Sequence, residues 1–170
     1  MRRGREYSPA AALLAGLGIA LCLAMPARAQ GFNEQIGGMI SDEAADSAIR
    51  YALDNIHIAL CEDDRNCTAT TEAERADPPI ETVDARAAMV FGVKSALASW
   101  CGLDFKRSFL PLMAFARHGK KFTNRQAALM AMIHGGFMQR QLQSYQANGG
   151  ACPDTLKVQL DSQLPKLPPQ

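Results

Sequence analysis

The chain has 170 residues, of which 48% are hydrophobic and 21% are charged, and its formal net charge is +1. This length suits one domain that is large enough to bury a core of its own. The near balance of charge, without aromatic residues interleaved among the basic ones, argues against a nucleic-acid-binding protein.

The first segment has the three parts of a secretory signal peptide. A basic stretch at 1–5 precedes an apolar run at 10–25, and the small-residue motif Ala27-Arg28-Ala29 follows. The apolar run is shorter than the roughly 20 residues that cross a bilayer, so we expect no transmembrane anchor after cleavage. We therefore predict export to the periplasm or the medium.

Cleavage after Ala29 defines the remaining organisation of the chain. We predict a cleaved signal peptide at 1–29, a single helical domain at 30–164 and a Pro-rich tail at 165–170. Cys22 would leave with the signal, and an even number of cysteines in an exported chain predicts two disulfides. A zinc site is less favoured because no C-x-x-C motif occurs. The four remaining cysteines are Cys61, Cys67, Cys101 and Cys152.

Hydrophobic periodicity predicts a first helix over 41–60 and a second that begins after Asp77. In the first, apolar residues recur at spacings of three and four, which is typical of an amphipathic helix. These residues are Ile49, Leu53, Ile56 and Leu60. In the second, Asp77 would be the N-cap, Pro78 and Pro79 would occupy the first turn, and Gly102 would end the helix. Its apolar residues are Val83, Val90, Val93, Leu97 and Trp100.

Three more helices are predicted in the second half of the chain. One covers 104–118, is kinked or delayed by Pro111 and ends at Gly119. The next begins with a capping box at 123–126 and continues to about Ala147. A short last helix runs over 152–164. Since no stretch shows sustained strand alternation, the predicted fold is all-α, a small disulfide-stapled bundle of four to five helices, mostly antiparallel.

Short connections between antiparallel helices predict which cysteines meet. In an up-down-up-down bundle, the second and fourth helices end at the same side. Cys101 and Cys152 would then be neighbours, with Cys67 a bundle length away. The predicted disulfides are Cys61–Cys67 and Cys101–Cys152.

Charge is distributed unevenly along the mature chain. Residues 30–86 contain 13 acidic and 4 basic residues, whereas residues 87–170 contain 3 acidic and 10 basic residues. One interpretation is that the two halves neutralise each other within the fold. The other is a basic segment that binds an anionic partner, such as lipid head groups, a cell-wall polymer or an acidic protein surface. The partner-binding residues of that hypothesis are Arg117, His118, Lys120, Lys121 and Arg125.

A second candidate site lies on the fourth predicted helix. Met130, His134 and Met138 are spaced by four residues and share one helix face, and thioether with imidazole is a ligand set suited to copper(I). The alternative is a buried, hydrogen-bonded histidine, packed where Gly135-Gly136 lets another helix come close. The acidic turn Glu62-Asp63-Asp64 lacks the spacing of a calcium-binding loop and is interpreted as a solvated turn.

No motif for catalysis or for a cofactor is present. The chain has no G-x-S-x-G sequence, and paired cysteines leave no thiol nucleophile. An enzyme is therefore less favoured than a binding protein, and no catalytic residue or cofactor is predicted.

The second half resembles the small periplasmic acid-stress chaperones. The resemblance lies in Ser99-Trp100-Cys101, in Asp104-Phe105 and in Ala151-Cys152 about fifty residues later. It implies a helical protein held by one disulfide of comparable span. The first half, with Cys61 and Cys67, has no counterpart in that family.

The sequence thus indicates a small exported helical protein, periplasmic or secreted, that binds a protein or an anionic envelope component. Three alternatives stay open at this point. They are a periplasmic stress chaperone, a soft-metal (copper) binder and an enzyme of unrecognised type.

Overall fold

The structure is a computed structural model that describes residues 37–62, 65–148 and 150–167. The predicted signal peptide at 1–29 lies outside the described residues. The part that is described is helical, with one isolated β-bridge between Leu60 and Asn66 and no strand. The all-α prediction is therefore confirmed.

The elements follow one another through short connections, as expected for a bundle. They are α1 (Asp42–Asn55) with a 3₁₀ turn (Ile56–Ile58), α2 (Glu72–Ala76), α3 (Thr82–Trp100), α4 (Lys106–Ala114) with a π-helical turn (Phe115–Gly119), α5 (Asn124–Asn148) and α6 (Asp154–Gln163). Among these described helices, none is long and apolar enough to cross a membrane.

The first predicted helix begins where expected and ends early. Ser41 caps α1, because its hydroxyl accepts a hydrogen bond from the Ala44 backbone N–H at 3.2 Å. Ile49, Leu53 and Ile56 are buried, as their spacing predicts. Leu60 is not: it is 57% exposed. The backbone leaves the helix after the 3₁₀ turn to form the bridge that closes the Cys61–Cys67 loop.

The predicted start of the second helix at Asp77 is wrong. Asp77 instead follows α2, and α3 begins at Thr82, after Glu81 as its cap. The prolines after Asp77 disfavour helical dihedrals at the preceding residue, so they separate two helices rather than opening one. Helix α2 was not predicted, although its T-x-x-E pattern indicates a helix start, and Thr71 and Glu74 do form a capping box there.

α3 is the central helix and is buried around much of its circumference. Its most extensive packing is with α5. The order in which residues pair along each two helices shows that α3 runs antiparallel to α1 and α4 and parallel to α5. These contacts are Asp46–Thr82 and Ile40–Arg86 with α1, Phe91–Ser108 and Phe105–Ser95 with α4, and Pro79–Gln126 and Trp100–Tyr145 with α5.

This arrangement is the up-down-up-down order from which the disulfides were predicted. Both predicted bonds are present, Cys61–Cys67 and Cys101–Cys152. The second joins Cys101, directly after α3, to Cys152, two residues before α6. Around it lies a small apolar cluster, separate from the main core, that includes Leu97, Leu160 and Leu164.

The close approach of two helices occurs at Gly92 of α3 and not at Gly135-Gly136. A Cβ added to Gly92 would lie 2.8 Å from the His134 carbonyl oxygen and 2.9 Å from Phe137 Cβ. Gly135 and Gly136 are exposed, and an added Cβ would meet nothing within 4 Å at either position. The expected packing role of the glycine pair is therefore wrong, and Gly92 is the residue that lets α3 and α5 touch.

Alanine substitutions at Gly92 and Gly135 should have opposite effects on stability. Gly92→Ala forces a methyl group against the α5 backbone and should lower the free energy of unfolding by about 2 kcal/mol. Gly135→Ala adds helix propensity in open space and should raise it by about 1 kcal/mol. Urea unfolding followed by circular dichroism measures both. Equal signs would show that α3 and α5 are not packed at Gly92.

Candidate functional site

The basic segment that was predicted to bind a partner is divided by the fold into two groups. Arg125 belongs to the first group, whose side chains form ion pairs within the fold. Its guanidinium donates to both carboxylate oxygens of Glu74, at 2.5 and 2.8 Å, and to the Thr68 carbonyl oxygen at 2.8 Å. The hydrogen bonds that Glu74 accepts from Arg125 and from the Thr71 backbone N–H lower the pKa of Glu74 to about 2.

Lys120 also belongs to the structural group. Its Nζ lies 3.0 Å from Oδ1 of Asp84, a carboxylate that is only 6% exposed near the start of α3. The hydrogen bond to Asp84 raises the pKa of Lys120, so the amine stays charged. Two ion pairs thus join the acidic half of the chain to the basic half. For Lys120 and Arg125, internal neutralisation describes the geometry better than a free basic surface.

Arg117, His118 and Lys121 form the second group and are exposed. Within residues 37–62, 65–148 and 150–167, Arg117 and Lys121 make no ion pair. Lys121 has a positive φ of 55°, which turns the backbone sharply between the π-helical turn and α5. The positive charges of Arg117 and Lys121 are therefore exposed to solvent.

Arg117 and His118 stand at one end of an apolar groove between α4 and α5, with a volume of about 470 Å³. We call it the α4–α5 groove. The residues that line it are Leu60, Phe109, Leu110, Met113, Ala114, Arg117, His118, Asn124, Ala127, Ala128 and Ala131. Leu60 and Leu110 are 57% and 45% exposed, and no acidic side chain is in the lining.

The sequence builds this groove by pairing large side chains with small ones. Phe109, Met113 and Arg117 recur every four residues along α4 and its π-helical turn, so they form one ridge. Ala127 and Ala131 recur in the same way on α5 and leave the space beside that ridge empty. The groove formed in this way can hold apolar side chains of a ligand, and Arg117 places a positive charge at one end of it.

His134, the centre of the second candidate site, is buried. It is 2% exposed, its Nε2 lies 2.8 Å from the Ser95 hydroxyl, and its ring centroid lies 4.8 Å from that of Phe109. Burial lowers its pKa from 6.5 to about 4, so the ring is neutral at pH 7. This is the buried, hydrogen-bonded histidine of the alternative interpretation.

The copper(I) hypothesis gains nothing from this geometry. Met130 is fully buried and Met138 is half-buried, while Nε2 of His134 is already hydrogen-bonded. In the described part of the chain, no three or more histidine, cysteine, aspartate or glutamate side chains are placed to hold a metal ion. Copper binding stays a prediction. In the acidic turn, Glu62 is exposed, and Asp63 and Asp64 lie outside the described residues.

The apolar part of the groove was not predicted from the sequence. Leu60 was placed on the apolar stripe of the first helix but is exposed, and Phe109 and Met113, which are half-buried, were not singled out. A signal was present: α4 and its π-helical turn carry large apolar residues on more of the circumference than one core-facing stripe requires. Leu110 and Phe115 are the surplus residues, and both are exposed.

Comparisons of the chain with protein-family models, with curated proteins and with solved structures found no match.

Proposed function

We propose that this protein is an exported, periplasmic binding protein, and that the α4–α5 groove receives an anionic partner with apolar side chains. One observation supports this above all others. Exposed Leu60 and Leu110 share a groove with Arg117, which has no ion pair among the described residues. Contiguous apolar surface beside uncompensated charge marks interaction sites on soluble domains.

Export is proposed from the signal-like segment at 1–29 and is supported by the two disulfides. Such bonds persist in oxidising compartments and are rare in the cytosol. Mass spectrometry of the protein recovered from the producing cells tests this proposal. A first residue at Gln30 is expected, and recovery of the chain still starting at Met1 would contradict it.

Partner capture through the groove is tested by reversing the charge of Arg117, which lines the groove, and of Lys121, which lies four residues further along the chain. Arg117→Glu with Lys121→Glu should remove the specific partners recovered from an envelope extract, because an acidic ligand would then be repelled. Neither cation makes an ion pair with a described residue, so the fold should be kept. Lys120 and Arg125 are left unchanged, since their loss would disturb α3 and α2. The matched control, Arg140→Glu with Lys166→Glu, changes two exposed cations outside the groove. Identical partner sets from the two variants would refute the proposal.

A second candidate function is an acid-responsive chaperone, and the burial of neutral His134 supports it. Protonation of a histidine in this environment is costly, so acid weakens the packing of α3, α4 and α5 around it. The expected result is rising fluorescence of a hydrophobic dye between pH 6.5 and pH 4. A flat signal over that range would remove this candidate.

A further inference from the structure

We infer that the occupant of the α4–α5 groove is an amphipathic helix of a partner protein, with acidic residues at one end of its apolar stripe. This inference rests on the proposed binding function and specifies the partner. It follows from three properties of the groove: the secondary structure of its walls, its dimensions, and the positions of its charged residues.

The walls select against other modes of peptide recognition. Both are helices, whose backbone groups are hydrogen-bonded internally, and the described residues contain no strand edge to which a peptide strand could add. Proline-rich ligands use grooves lined by several aromatic rings, whereas Phe109 is the one aromatic residue in this lining. Among the modes that bury apolar side chains in a groove, insertion of a helix face fits these walls best.

The dimensions suit about two turns of a helix. The ridge from Phe109 to Arg117 covers eight residue steps, or about 12 Å at the rise of an α-helix. On α5, Ala131 is small and half-buried, which permits a third helix to approach there, whereas Ala127 is already buried. Apolar residues of the occupant would pack against Leu110 and Met113.

The positions of the charges predict the polarity of the occupant. Arg117 and His118 lie where the π-helical turn ends, beside Asn124 at the start of α5. The opposite end, near Phe109 and Ala131, has no charged residue in the lining. Acidic side chains of the partner should therefore be concentrated at the end that meets Arg117.

Selection from two displayed peptide libraries tests this inference with the disulfide-bonded mature chain. One library holds helices of about 14 residues with a fixed apolar stripe, and the other holds unconstrained peptides of equal length. We expect enrichment from the helix library, with Asp and Glu accumulating at one end of the stripe. Enrichment of extended sequences alone, absence of an acidic bias, or no enrichment from either library would each overturn the inference.

Fluorescence anisotropy with an enriched peptide then locates the site. Leu110→Glu should weaken binding about tenfold or more, whereas the control Val158→Glu, an exposed apolar residue on α6, should leave it unchanged. With Arg117→Glu, a peptide whose acidic end is replaced by lysines should bind better than the original. This reversal would not result from simple loss of structure. Equal binding by Leu110→Glu and wild type would overturn the inference.

Vesicles of phosphatidylcholine and phosphatidylglycerol serve as the competing ligand. Groove-dependent binding to these vesicles, without a preference for any peptide, would assign the groove to membranes and reject the helical partner. Groove-dependent capture of a protein that lacks an acidic helix would reject this inference and leave the proposed function standing. If neither peptide binding nor groove-dependent capture is observed, both the helical-partner inference and the proposed binding function are rejected.

Discussion

Replacement of Cys101 and Cys152 by serine should lower the free energy of unfolding by roughly 4 kcal/mol. The bond closes a segment with a sequence separation of 51 residues, and its loss releases that constraint on the unfolded chain. It also holds α6 against the end of α3, beside the apolar cluster around Leu97 and Leu160. The segment after α6 is held to α4 by hydrogen bonds from Arg107 to the Leu164 and Pro165 carbonyl oxygens, at 2.8 and 2.9 Å.

The Cys61–Cys67 bond provides the internal control for this prediction. Its sequence separation is 6, so the same chain-entropy argument gives a loss of roughly 2 kcal/mol for the double serine variant. Urea unfolding of the two variants beside the wild type gives both differences in one experiment. A larger loss from the short loop than from the long one would contradict the chain-entropy argument.

Acidification from pH 7 to pH 4 should remove about 3 kcal/mol of stability through His134 alone. In the folded protein its pKa is about 4, whereas the unfolded chain takes up this proton near pH 6.5. Between these values the unfolded state binds more protons, so stability falls as pH falls. The contribution is complete above pH 6.5 and is lost by pH 4. Unfolding in urea at several pH values measures this slope.

Two glutamine variants separate His134 from the rest of the protein. His134→Gln keeps an amide near the Ser95 hydroxyl but does not titrate, so its stability should depend less on pH between 6.5 and 4. His57→Gln changes an exposed histidine and should retain the wild-type slope. Below pH 4.5 a further loss is expected in all three proteins, because the pKa of Glu74 is held at about 2. Parallel curves for both variants between pH 6.5 and 4.5 would show that His134 is not the titrating group.

The parts of the fold that follow from local rules were predictable. Ser41 and Thr123 indicate where helices begin, because their side chains cap nearby backbone N–H groups. The order of short connections then sufficed to pair the cysteines correctly. The glycine at which two helices pack closely was not predictable. Gly92, Gly135 and Gly136 all lower helix propensity, so the sequence does not distinguish them. Only the neighbours in space distinguish the glycine that is needed from the two that face open space.

The candidate site was predictable in composition but not in arrangement. The sequence identifies the cations from Arg117 to Arg125 but not which of them meet an acidic side chain. Lys120 and Arg125 find Asp84 and Glu74, residues 36 and 51 positions away, through the tertiary fold. The exposed face of α4 was also out of reach, because its apolar residues are indistinguishable from core residues until the neighbouring helices are placed.

The Lys120–Asp84 ion pair has a consequence for how a ligand would be received. It fastens the short segment between the π-helical turn and α5 to the central helix, and Arg117 and Lys121 lie on either side of that anchor. The backbone beneath the free cations is therefore ordered before any encounter. Less conformational entropy would then be lost from this segment when a partner binds. A groove only two helical turns long could therefore bind its partner with useful affinity.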